Sequence, residues 1–154
     1  MNLLDILSPA CIKSPLAGAG KREIIAELVD LLAGAGRVTD AGAVKDAVWT
    51  REQVRSTGIG LGLAIPHGRC AGVPGLALAI GKPAQPMEFQ AIDGKPVQLI
   101  VLLVSPPDRN TDHIQALARI SRMALSESLR NQLYAAASPD EIYQLMKDHE
   151  SRAS

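Results

Sequence analysis

The sequence lacks most of what a specialised protein class would need. It has only two cysteines in 154 residues, Cys11 and Cys70. That is too few for a disulfide framework, and no metal-binding CxxC occurs; both read as small buried apolar residues. Charge of one sign is missing as well: 16 Lys and Arg balance 16 Asp and Glu, which leaves no electrostatic footprint for nucleic acid or for a membrane surface. The longest apolar run, Leu99 to Val104, is far shorter than the roughly 20 residues needed to span a bilayer. Met1-Asn2-Leu3-Leu4-Asp5 lacks the basic start and apolar stretch of a secretory signal. The expectation is a cytoplasmic protein without membrane insertion, whose partners are proteins or small anions. Nucleotide loops are absent too: Gly58, Gly60 and Gly62 alternate, whereas a dinucleotide fingerprint needs GxGxxG and a P-loop needs GxxxxGK followed by Ser or Thr.

What is present suits one buried core. The chain is 47% hydrophobic and close to the commonest single-domain size, so residues 1–154 are expected to form one domain, with no repeat or linker dividing it. Ile24, Leu28 and Leu31 recur at helical spacing across Lys21 to Leu32 and stop at Gly34-Ala35-Gly36. A second helix is predicted from Asp40, a suitable N-cap, to about Glu52, with Val44, Ala47 and Val48 inward and Arg51 at its end.

The segment from Ser56 to Gly68 is too rich in glycine for a helix, since each interior glycine costs roughly 1 kcal/mol relative to alanine. It reads as an extended piece ending in a tight turn at Pro66-His67-Gly68. Leu76 to Ile80 and Val97 to Val104 are apolar runs bounded by glycine and proline, the pattern of buried strands, with a turn at Asp93-Gly94 between them.

From Asp112 the pattern is helical again. Ile114, Leu117, Ala118 and Leu125 are expected on the inward face, Gln115, Arg119 and Arg122 on the outward one, and His113 in the first turn. Two further helices follow, one near Ser128 to Ala136 and one opened by the capping box Ser138-Pro139-Asp140-Glu141; His149 should be exposed. Together these elements predict an α/β layered sandwich: a central mixed sheet of about four or five strands with helices on both faces.

His67 stands out chemically. Glycines upstream leave backbone amides open to an anion, and a neutral imidazole keeps one nitrogen free near pH 7, so it can act as a nucleophile. A phosphoryl group held there would need little beyond positioning and charge stabilisation, for which arginine is the favoured donor. Read singly, His67 could equally be a structural or exposed turn residue, Arg51 a helix-end charge, Ser56 and Thr57 ordinary turn residues, and His113 a packed helix-start residue.

The order of segments is more specific. Arg51-Glu52, Ser56-Thr57-Gly58-Ile59-Gly60 and Ala64-Ile65-Pro66-His67 are followed by Met87-Glu88-Phe89, Asp93-Gly94-Lys95-Pro96-Val97, Ser105-Pro106, and His113 with Leu117 and Ile120. This series resembles the enzyme IIA domains of the fructose/mannitol class (type 2) of the bacterial phosphotransferase system, over nearly the whole chain. The resemblance implies a stoichiometric phosphocarrier, a protein-histidine phosphotransferase component without a cofactor or metal. His67 would take a phosphoryl group from a small histidine phosphocarrier protein. The family arginine, 16 positions upstream, falls on Arg51 and would bind phosphoryl oxygens; the second histidine, 46 positions downstream, falls on His113 and would hydrogen-bond the phosphoryl group. Ser56 and Thr57 would support the site. Arg55 departs from the family pattern, which has a small residue before Ser56, as does Gly18-Ala19-Gly20 where a serine cap is usual.

A single domain without a membrane segment favours the free-standing, nitrogen-regulatory branch, in which phosphorylation alters binding to a downstream regulatory target protein. The alternative is a sugar-uptake component passing phosphate to a separate permease domain. Three readings from other classes are a metal-dependent hydrolase built on His67, His113 and Asp112, a cysteine nucleophile at Cys70, and a non-catalytic interaction module.

Overall fold

A computed structural model describes residues 1–153. After two short 3-10 turns come β1 (Ile12–Leu16), α1 (Lys21–Gly34), α2 (Ala41–Val54), β2 (Gly58–Gly60), β3 (Leu63–Ala64), β4 (His67–Arg69), β5 (Ala77–Pro83) and β6 (Leu99–Ser105). The chain closes with α3 (Asn110–Met123), α4 (Glu127–Ala135) and α5 (Pro139–Ala153).

The sheet runs β1-β5-β6-β3-β2, and β4 also pairs with β6. Because Leu63 and Ala64 lie opposite Leu99 and Ile100, while His67 to Arg69 lie opposite Leu103 to Ser105, β3 and β4 are two pieces of one strand position, parallel to β6. The six strands therefore occupy five places in a mixed sheet.

Strand alternation sorts the core. Leu99, Val101 and Leu103 join Ala116, Ile120, Leu129, Leu133, Ile142 and Met146 on one face. Ile100, Leu102 and Val104 join Ile24, Leu28, Val44 and Val48 on the other. β6 is thus buried on both sides, which is why it reads as a continuous apolar run.

The caps follow the sequence closely. Asp40 accepts from Ala43 N–H at 3.1 Å, and Ser138 accepts from Glu141 N–H at 3.2 Å while Glu141 returns to Ala137 N–H at 2.8 Å. At α1 the glycine cap has no side chain, and Glu23 and Glu27 replace it by accepting from Ala19, Ala17 and Gly18. Gly94, with φ +71°, makes the expected turn, donating to Ala91 O at 2.9 Å.

Four expectations are corrected. His67-Gly68 is not a tight turn but part of β4; Gly68 serves close packing, because a Cβ there would stand 3.0 Å from Val48 Cγ2. The inward face of α3 is His113, Ala116, Ile120 and Met123, whereas Ile114 is 56% and Leu125 73% exposed. Ala118 is exposed as well, and Arg119 turns in to the buried Glu150 at 2.8 Å. Cys70 and His149 are each half-buried.

Candidate functional site

His67 begins β4, on the side of the sheet that faces α3. Its Nδ1 lies 2.8 Å from Ile65 O. A carbonyl oxygen can only accept, so Nδ1 carries the proton, and the neutral ring keeps its lone pair on Nε2. Burial holds the ring's pKa below the ordinary histidine value; the Ile65 bond opposes this, and the Arg51 charge reinforces it. At neutral pH the ring is uncharged, with a lone pair on Nε2 available to an electrophile.

Two cavities share Arg51, His67 and Leu117 in their linings. One, of about 610 Å³, is also lined by Arg55, Ser56, Thr57 and Ile92. The other, of about 350 Å³, is also lined by Arg69, Asn110 and His113. Arg51 reaches this junction from the last turn of α2, where its Nη1 donates to Arg55 O at 2.8 Å. That bond fixes the guanidinium and satisfies a helix-end carbonyl.

His113, 4% exposed, approaches from the first turn of α3. Its ring stands edge-to-face with His67, centroids 5.5 Å apart, and its Nδ1 lies 2.6 Å from Ser105 Oγ. Burial, followed by the charges of His67 and Arg69, lowers its pKa to about 4.

Ser56 and Thr57 line the larger cavity, but their hydroxyls are committed elsewhere. Ser56 Oγ donates to Phe89 O at 2.6 Å and accepts from Gly58 N–H at 3.1 Å. Thr57 donates both its hydroxyl and its N–H to the buried Glu52, which also pairs with Lys21 Nζ at 2.8 Å. These two residues hold the segment beside Arg51 in place. Arg69 and Ser105 were missed from sequence. Both follow from strand alternation: Arg69 is two residues beyond His67, and Ser105 extends the row of Leu99, Val101 and Leu103.

The other readings find little here. Asp112 turns to Arg109 at 3.7 Å, and among the described residues no three His, Cys, Asp or Glu side chains gather to hold a metal. Cys70 lines neither cavity; its Sγ accepts from Gly72 N–H at 3.4 Å. Among the described residues no helix is long and apolar enough to cross a membrane.

The architecture is that of the enzyme IIA proteins of the phosphotransferase system. The crystal structure of nitrogen regulatory protein IIA-Ntr from Neisseria meningitidis matches with a TM-score of 0.84 and 31% identity, over 92% of this chain and 97% of that one. The family model for the phosphoenolpyruvate-dependent sugar phosphotransferase system, EIIA 2, matches residues 5–149, and the chain belongs to that family.

Among curated relatives, the fructose-specific EIIABC component of Bacillus subtilis is 34% identical over 97% of this chain, which spans only 24% of that protein's length. The nitrogen regulatory protein of Bradyrhizobium diazoefficiens is 30% identical over 95% of each.

Proposed function

We propose that residues 1–154 act as one cytoplasmic phosphocarrier domain that receives a phosphoryl group on His67 Nε2. The observation that carries this is the 2.8 Å contact of His67 Nδ1 with Ile65 O: it assigns the ring proton to Nδ1 and leaves Nε2 as the nucleophile, on a residue that lines two cavities together with Arg51. In the transfer the Nε2 lone pair forms the new P–N bond. The P–N bond of the donor's phosphohistidine breaks, and its electron pair returns to the donor imidazole. The proton stays on Nδ1, hydrogen-bonded to Ile65 O, so no proton transfer is required. Arg51 faces the phosphoryl oxygens with its guanidinium, the preorganised charge that phosphoryl transfer chiefly asks of a protein. The donor is a small histidine phosphocarrier protein.

The role proposed is regulatory, in the nitrogen-related branch, with a regulatory protein downstream. This is supported by relatives of that description matching over almost their whole length. A sugar-uptake role, passing phosphate to a permease domain, is the second reading, favoured by the identity to the fructose component. The test is incubation with phosphoenolpyruvate, the first kinase of the relay, and sugar-branch or nitrogen-branch carriers side by side, followed by intact mass and peptide mapping. One added phosphoryl group, lost in His67→Ala and faster with the nitrogen-branch carrier, is expected. Undiminished labelling of His67→Ala would refute the carrier claim, and preference for the sugar-branch carrier would refute the regulatory one.

A further inference from the structure

Ser105 ends β6 and is fully buried, yet it is the one polar residue in a strand that is otherwise Leu, Ile and Val. Position 105 continues the row 99, 101, 103 that faces α3, and this brings Oγ to 2.6 Å from His113 Nδ1. Its main chain is already used: Ser105 O accepts from Cys70 N–H at 3.0 Å.

The proton inventory decides the direction of the Ser105–His113 bond. A hydroxyl has one proton to give, and among the described residues His113 Nδ1 is the acceptor within reach of Ser105 Oγ. Were Nδ1–H the donor, the serine proton would be buried without a partner, which costs about 1–3 kcal/mol. With the hydroxyl donating, Nδ1 is satisfied as acceptor and the ring's proton resides on Nε2.

We propose that Ser105 is a positioning residue that locks neutral His113 in its Nε2–H tautomer, so that the ring offers an N–H donor to a phosphoryl group on His67. The two rings would then be complementary. His67 gives its Nδ1 proton to Ile65 and keeps a lone pair on Nε2; His113 accepts at Nδ1 and keeps a proton on Nε2. The role in transfer rests on the phosphocarrier reading of His67, whereas the tautomer does not.

The tautomer is measurable in the unphosphorylated protein by long-range 1H–15N NMR of the labelled histidines at neutral pH. Expected for wild type is a His113 with protonated Nε2 and bare Nδ1. Ser105→Ala should give a mixture of tautomers and slow phosphoryl acceptance by about ten- to a hundredfold, while the final extent of labelling and the KM for the donor stay as they were. Ser105→Thr, which keeps the hydroxyl, should restore both tautomer and rate. Nδ1–H on wild-type His113, or a tautomer unchanged in Ser105→Ala, would overturn the assignment. A wild type that takes up no phosphate while His113 shows Nε2–H would instead overturn the phosphocarrier reading, and the role of Ser105 in transfer with it.

Discussion

The imidazoles of His67 and His113 meet edge-to-face at 5.5 Å, one carried by the sheet and the other by the helix packed across it. Burial disfavours the charged form of both rings, the His67 and Arg69 charges further disfavour protonation of His113, and the Arg51 charge does the same for His67. The consequence is a pair that is neutral at physiological pH, with Arg51 supplying positive charge to the junction.

The first prediction concerns rate against pH. Only neutral His67 has a lone pair on Nε2, and its pKa lies below the ordinary histidine value, so phosphoryl acceptance should stay level as pH drops through 6.5 and fall only below it. Arg51→Gln removes a cation that holds this pKa down; the midpoint should move up while the rate at pH 7 falls by about a hundredfold. Rates of phosphoryl incorporation between pH 5 and 8, taken as the ratio of variant to wild type so that the donor's titration cancels, check both effects. A midpoint unmoved in Arg51→Gln would show that its charge does not reach His67.

Acid stability provides a second prediction. His113 is held at about 4 in the fold against about 6.5 in the unfolded chain, so between those values the unfolded state binds more protons and stability rises with pH. The contribution is complete above about 6.5 and lost as pH falls through 4, a difference of at most about 3 kcal/mol. His113→Gln should therefore lose less stability than wild type between pH 7 and 4 in urea titrations. Parallel losses in the two proteins would contradict it.

The sequence disclosed the parts of this fold that local chemistry determines. Asp40 and Ser138 announce their helices because a cap is a short-range device, and Leu99 to Val104 announces a strand buried on both faces. The parts it concealed depend on long-range pairing. β1 contains Lys13, Ser14 and Pro15 and looks like a loop until β5 pairs with it. α3 turns His113 inward together with Ala116, Ile120 and Met123 and leaves Ile114 outside, because those four positions lie on the one helix face that meets the sheet. Pro66-His67-Gly68 has the composition of a turn, and only the ladder that pairs His67, Gly68 and Arg69 with Leu103, Val104 and Ser105 makes a strand from His67 onward. Arg51, His67 and His113 could be picked out by their order and spacing, but Ser105 and Arg69 needed strand alternation that the supposed turn obscured.

Two glycines should respond oppositely to alanine. A Cβ on Gly58 would stand 2.8 Å from the Ala91 Cα, a backbone atom that cannot step aside, so Gly58→Ala should cost about 1–3 kcal/mol. Gly42 lies in the first turn of α2 with only Asp40 Oδ1, at 3.8 Å, near a new Cβ, so Gly42→Ala should stabilise by about 0.5–1 kcal/mol. Thermal unfolding of both variants is sufficient, and a stabilised Gly58→Ala would mean that β2 does not pack against the Ala91 backbone.

The strongest test of how the site is held lies in Glu52, which is 4% exposed and touches neither cavity. Its carboxylate accepts from Thr57 N–H at 2.9 Å and from the Thr57 hydroxyl, and it pairs with Lys21 at 2.8 Å. Every neighbour is thus a donor. In Glu52→Gln the new amide can give its N–H only to the Thr57 hydroxyl, which then loses the acceptor for its own proton, and Lys21 loses its counter-charge, so the cost should be about 3 kcal/mol, as for a buried pair deprived of one partner. Phosphoryl acceptance should slow as well, because Thr57 loses the anchor that holds the segment beside Arg51. Lys21→Met removes one of those donors in advance and leaves a methionine that can pack on Phe89, over whose ring the ammonium now lies at 4.7 Å. The double variant should therefore be more stable than the sum of the two single losses by about 0.5–3 kcal/mol. Strictly additive losses in a urea double-mutant cycle would show that Lys21 and Glu52 act independently, and that Glu52 holds Thr57 without help from Lys21.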